Sequence, residues 1–285
     1  MSFTDINQPK TVARLSPVDL SRRPVHAKAG LCDDAGCSGV AMISETTFIK
    51  EEGSRAALFP IAPLRVALAA LSCLGLALLS IAFVDRPLAS WVHDHLDGAW
   101  LLPYSIIYQG YEVPVSIFMV MAAPAEALGK AAGGGLIVMG AAGLVGWRPR
   151  RWGQIALAVC TAVLVALAMK DELKWVFGRT WPESWLQINP SWIRDHVENF
   201  RFFRGWIGRA SFPSGHMTVV ASAAGVLWNT SPRLRHLCLA LIIVVAVGLV
   251  GGNYHFLSDV IAGFYLGWGI GLVASAPILR LDNRK

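Results

Sequence analysis

"GQIALAVCTAVLVALAMKDELKWVF", residues 153–177, carries no charged side chain from Gly153 to Met169, and then four charges within the five residues 170–174. Twenty-five residues make a helix of roughly 37 Å at 1.5 Å per residue, against a hydrocarbon core of about 30 Å. The stretch is therefore read as a membrane-spanning helix whose polar end emerges on one side. The preceding "RPRRW" is a tight basic turn, and Gly178 is a helix stop.

Working outward, other apolar runs repeat this pattern. "IAPLRVALAALSCLGLALLSIAFV" (61–84) gives the first span and "KAAGGGLIVMGAAGLVGW" (130–147) the second, its glycines suited to close helix packing. The opening stretch is the third. The fourth starts at Pro213 and ends near Asn229, the fifth covers Leu234 to Gly252, and the sixth Leu257 to Leu279. Between the first two, residues 102–129 are apolar but broken by Pro103, Pro114 and Pro124, with Glu112 and Glu126 inside. They read as short helices at or partly in the membrane surface. The expected fold class is all-α: a polytopic helical bundle of six transmembrane helices over 59–285, preceded by a disordered cytoplasmic tail, 1–58.

Composition agrees. The chain is 54% hydrophobic and only 15% charged, where soluble domains run near a quarter charged. A net charge of +6 serves membrane orientation and calls for no nucleic acid. Of five cysteines, Cys73, Cys160 and Cys238 lie in apolar runs as small buried residues. Cys32 and Cys37, in "CDDAGC", lack a second ligand pair, so no zinc site is expected there. Basic residues set the orientation. Arg148, Arg150 and Arg151, then Arg233 and Arg235, then Arg280, Arg284 and Lys285 share one side, which makes it cytoplasmic together with both termini. The loop 178–210 and the connection 252–256 then face outward.

On that outer face stands "ASFPSGHMTVV" (210–220). Pro213, Ser214, Gly215 and His216 open a helix, whose first N–H groups lack acceptors and carry the positive end of the dipole. Proline fits such a first turn, and glycine lets a ligand approach the backbone. That makes an anion site, with Ser214 a further donor and His216 poised to give or take a proton. In "NYHFLSDVIAG" (253–263), His255 and Asp259 are spaced i, i+4 and share a helix face. A carboxylate on one imidazole nitrogen fixes the tautomer and frees the other as nucleophile or base; Ser258 points elsewhere. Lys174 and Arg179 add cations at the same interface. His93 and His95 in "HDH", and His196, read as loop residues, and His236 belongs to the other side. No carboxylate cluster of metal-binding type is recognisable on the outer face, so neither metal nor cofactor is expected.

These motifs resemble those of the type 2 phosphatidic acid phosphatases, relatives of the vanadium haloperoxidases. That family's pattern is a lysine, six residues and Arg-Pro; then Pro-Ser-Gly-His; then Ser-Arg, five residues, His, three residues, Asp. Here the blocks read "KWVFGRTWP" (174–182), "PSGH" (213–216) and "GLVGGNYHFLSD" (248–259), within about 150–280. Trp181 stands where the first arginine is expected, and Gly248 and Leu249 replace Ser-Arg. The resemblance implies a metal-independent lipid phosphatase of the bacterial inner membrane, its site facing the periplasm. His255 would attack phosphorus, oriented by Asp259, with His216 as the acid. Lys174, Ser214 and Gly215 would hold the phosphate, with Arg179 first and Arg209 second standing in for the absent arginines. The expected partners are the bilayer and a lipid phosphate substrate: phosphatidic acid, phosphatidylglycerol phosphate, polyprenyl pyrophosphate or lipid A. A phosphotransferase using the same intermediate, and a non-catalytic lipid-phosphate-binding protein, are the alternatives.

Overall fold

The structure, a computed structural model, describes residues 63–98, 100–108, 111–184, 189–204 and 210–282. The expected tail over 1–58 and Arg209 lie outside the described residues. Helix α1 (Pro63–Leu79) passes through a π-helical turn (Ser80–Val84) into α2 (Asp85–Leu96). The first apolar run thus continues past Val84 as one helical stretch, Leu64–Leu96. His93 and His95 therefore sit on a helix, not in a loop.

Strands β1 (Leu101–Tyr108) and β2 (Tyr111–Ser116) form an antiparallel hairpin with Ser105 opposite Pro114 and Ile106 opposite Val113. Over 102–116 this corrects the expectation of short helices across 102–129; the remainder is helical. Ile106, Ile107, Val113, Val115 and three tyrosines favour a pleated strand, while proline removes a donor that a helix interior needs. Helix α3 (Ile117–Ala122) follows, capped by Ser116, whose hydroxyl accepts from Met119 N at 3.3 Å. Helix α4 (Pro124–Leu144) begins at a proline, which suits a first turn, and so starts earlier than the expected Lys130.

Helix α5 (Arg151–Phe177) is the opening stretch; it ends at Gly178, whose φ of 54° and N–H bond to Lys174 O close the last turn. A short α6 (Trp192–Asp195) interrupts the following loop. Then come α7 (Gly215–Thr230), a 3₁₀ turn (Pro232–Leu234), α8 (Arg235–Gly251) and α9 (Leu257–Asp282).

Among the described residues, five stretches are long and apolar enough to cross a membrane: Leu64–Leu96, Ile117–Leu144, Arg151–Phe177, Pro232–Gly251 and Leu257–Leu281. The protein is an integral membrane protein of mainly helical fold. Helix α7, at 16 residues, is shorter, and its burial sets it apart. Met217 and every residue from there to Val226 is buried, where lipid-facing helices such as α1 expose their leucines. Helix α7 packs against α9, α5, α8 and α4.

The closest of these contacts is a seam of small residues. Cβ atoms added at Gly263, Gly267 and Gly271 of α9 would lie 2.6, 2.2 and 2.5 Å from the carbonyl oxygens of Ser214, Thr218 and Ser222 on α7. Only glycine permits that backbone approach. The glycines of 130–147 behave differently from expectation: Gly133, Gly134, Gly140 and Gly143 face open space, and only Gly135 meets α5, at Cys160 Sγ.

Candidate active site

The C-terminus of α5, the N-terminus of α7 and the N-terminus of α9 lie at one end of the helices. At the opposite end Arg151 Nη2 donates to Thr230 O at 3.1 Å. The polar end is stitched together by backbone. Ser214 N donates to Asp259 O at 3.0 Å and Ser211 N to Arg179 O at 2.9 Å, while Ser211 Oγ donates to Thr180 O at 2.8 Å. The Phe212–Pro213 peptide is cis. Ser214 is the N-cap of α7, its hydroxyl facing Met217 N. Thus the two histidine motifs, 39 residues apart (255 − 216), share one scaffold.

His255 is 3% exposed. Its Nδ1 lies 3.4 Å from Asp259 Oδ2, which also accepts from Phe256 N at 3.2 Å. With Nδ1 on the carboxylate, Nε2 is the nitrogen that Asp259 leaves available. Burial holds the His255 pKa below the usual histidine range, and the adjacent Asp259 opposes this only in part. Across from it, the Trp181 ring lies 5.0 Å from the His255 ring, and Lys174 Nζ lies 5.2 Å from the Trp181 ring centre. Trp181 Nε1 is buried and has no hydrogen-bond partner among the described residues. Half-buried His216 lies within electrostatic reach of His255, Lys174 and Lys170.

Lys170 escaped the sequence reading, although its i, i+4 spacing to Lys174 was a legible signal. A Cβ on Gly215 would sit 2.5 Å from Lys170 Cδ. The glycine of "PSGH" thus makes room for a second lysine stem. Lys170 Nζ pairs with Asp171 at 2.5 Å.

Arg179 is fully buried, and its observed partners are three carboxylates and a hydroxyl. Nη1 donates to Asp259 Oδ1 at 2.6 Å and to Ser258 Oγ at 2.5 Å; Nη2 donates to Asp85 Oδ2 at 2.7 Å and to Glu198. Ser258, expected to point away, instead takes part: its hydroxyl donates to Asp85 Oδ2, and its N–H donates to Asp85 Oδ1 at 3.1 Å. Arg86 adds a second cation on Glu198. Burial works against the Arg179 charge, but Asp259 and Asp85 overcome it and raise the pKa above its ordinary value. The guanidinium stacks 4.1 Å from the Phe256 ring centre. In this geometry Arg179 holds Asp259, which faces His255.

The positions where arginines were expected are filled differently. Leu249 is fully buried. A Cβ on Gly248 would meet Met121 Cβ and Phe118 O at 2.8 Å, so this stretch of α8 serves as packing for α3. Nearby, Asn253 spends its amide on Ala89 O and Glu183 Oε2 at 3.0 and 3.1 Å.

The sequence model of the PAP2 superfamily matches residues 155–280. Among solved structures, the chain is similar to a transmembrane PAP2-type phosphatidylglycerolphosphate phosphatase from Bacillus subtilis. The identity is 19%, the TM-score 0.44, and the match covers 76% of this chain and 96% of that one. No curated protein sequence matches. All three motif blocks, from Lys174 to Asp259, fall inside the span that the PAP2 superfamily model matches.

Proposed function

We propose that the protein is a lipid phosphatase with six membrane passes, α7 being the short one. It removes a phosphate, as monoester or pyrophosphate, from a lipid headgroup at the outer face. The observation that carries this reading is the His255–Asp259 pair sharing a scaffold with the capped N-terminus of α7 and with Lys174.

The reaction follows from the groups available. The substrate phosphate sits over the α7 N-terminus, held by its N–H groups, the Ser214 hydroxyl, Lys174 and Lys170. His255 Nε2 attacks phosphorus in line; the P–N bond forms as the bond to the lipid oxygen breaks, and His216 gives that oxygen a proton. Asp259 stabilises the imidazolium. A water then attacks the phosphohistidine, passes its proton to His216, and free phosphate leaves with His255 regenerated. Fixed cations do the work that magnesium does in other phosphoryl transfers.

Where an arginine fork was expected, the buried, unpartnered Trp181 Nε1 offers a neutral donor to a phosphate oxygen. A neutral bond is weaker than a charged one, and the two lysines supply the missing charge. The same substitutions favour one other reading, a membrane protein that binds lipid phosphates without turning them over.

Purified protein screened for phosphate release across lipid phosphates separates the two. Turnover is expected with wild type, loss of it with His255→Ala and with His216→Ala, and a residual rate with Asp259→Asn, since the carboxylate only orients. Folded wild type that binds these lipids and releases no phosphate would leave the binding reading. An acceptor lipid in the same assay distinguishes hydrolysis from phosphotransfer.

A further inference from the structure

Beyond the phosphate site, one cluster on the same end of the helices has no role in the chemistry above. His93 and Asp97, near and just past the end of α2, converge with Glu183, which follows Trp181 and Pro182. One ligand atom from each lies within 4.8 Å of the others. The cluster is not legible in the sequence, where Asp97 and Glu183 are 86 residues apart (183 − 97).

The geometry suits a cation better than a hydrogen bond. His93 Nδ1 lies 3.3 Å from Glu183 Oε1 and 3.8 Å from Asp97 Oδ2. Yet that nitrogen is buried and makes no hydrogen bond among the described residues. Ligand atoms at 2.0–2.1 Å from a tetrahedral ion stand about 3.3–3.4 Å apart, which is the His93–Glu183 spacing and near the His93–Asp97 one. Glu183 is also oriented from behind: the amide of Asn253, itself 4% exposed, holds Oε2 at 3.1 Å and leaves Oε1 toward His93. Such outer support of a carboxylate ligand is typical of built metal sites. A cavity of about 110 Å³ borders His93, Asp97 and Glu183, room enough for the water that completes a three-residue site.

We propose that His93 Nδ1 and the carboxylates of Asp97 and Glu183 bind one divalent transition-metal ion of zinc type. One imidazole with two carboxylates favours such an ion over magnesium or calcium, which take oxygen ligands alone. The ion clamps the end of α2 to the segment carrying Trp181 and, through Asn253, to the connection that carries His255.

The test uses full-length protein with Cys32→Ser and Cys37→Ser, which removes competing thiols. After stripping with EDTA and dialysis, it is titrated with Zn²⁺, and with Co²⁺ as a spectroscopic substitute, and metal content is measured. One equivalent of Zn²⁺ per chain is expected, unaffected by excess Mg²⁺, with a d–d absorption for Co²⁺. His93→Ala and Glu183→Gln should each weaken binding on the order of a hundredfold or more, since even outer-shell changes cost up to that. Asp97→Ala, at a half-exposed side chain, repeats the test where folding does not depend on the residue. Absence of stoichiometric binding, or binding that all three substitutions leave unchanged, overturns the proposal.

Discussion

Arg179 and His255 show how differently two buried ionisable residues serve one site. Arg179 faces Asp85, Glu198 and Asp259. With Arg86, two cations meet three carboxylates. Removing one partner of such a buried set costs about 3–5 kcal/mol, so Arg179→Ala should lower the thermal midpoint sharply in detergent. In the proposed reaction Asp259, its partner, orients the nucleophile, so the activity loss should fall on kcat. A rise in KM at constant kcat would instead mean that Arg179 grips phosphate directly. Arg179→Lys should recover part of the stability, since a point charge cannot reach every acceptor that the fork does. For His255 the sign runs the other way from a salt-bridged histidine. Its folded pKa is lowered by burial, so the folded protein stays unprotonated there while the unfolded chain takes up a proton near the reference value of about 6.5. Stability is therefore fully present above about 6.5 and declines as pH falls from there to the folded pKa. The acid limb of kcat/KM should accordingly lie below about 6.5, and a limb at or above that value would contradict the geometry.

Helices α7 and α9 carry the two histidines, and their glycine seam holds them in register. Gly267→Ala would drive a Cβ to 2.2 Å from Thr218 O, a backbone atom, whereas Gly269 on the same helix has nothing within 4 Å. Overpacking costs about 1–3 kcal/mol, so Gly267→Ala should lower the melting temperature in detergent while Gly269→Ala leaves it near wild type. Equal effects from both would rule out the seam as the cause. The sequence made α5, α7, α8 and α9 legible because hydropathy and length alone define such helices. It also brought His216, His255 and Asp259 to one end, because caps and i, i+4 spacing are local. It failed where the deciding contact was remote. The hairpin at Leu101–Ser116 looked helical because its apolar residues suggested lipid, and pairing between two strands leaves little trace in either. Ser258 was misjudged and the carboxylate partners of Arg179 were missed because Asp85, their shared partner, lies on a helix outside the recognisable motifs.

For the molecule as a whole, the basic residues around Arg151 and Arg233 lie at the end opposite the histidines, as the Arg151–Thr230 bond requires. Reporter fusions after Arg150 and after Pro232 should read cytoplasmic and one near Asn189 external; the reverse pattern would put the site on the wrong side for an outer-leaflet substrate. Such reporters would not register the π-helical turn at Ser80–Val84. A π turn holds one residue more than an α turn. Deleting Ile81 would let that turn close into ordinary α-helix and leave the helices on either side in nearly the same rotational register, whereas deleting Leu76 from the regular part of α1 would swing the residues before it by about 100° relative to Asp85. Hydropathy and topology would be preserved in both, and in the first Asp85 would keep its place against Arg179. At Ser80–Val84 the chain holds one residue in reserve, so the one-codon deletion of Ile81 should leave turnover and melting temperature nearer to wild type than the deletion of Leu76; equal losses from both would show that the turn does not absorb the missing residue.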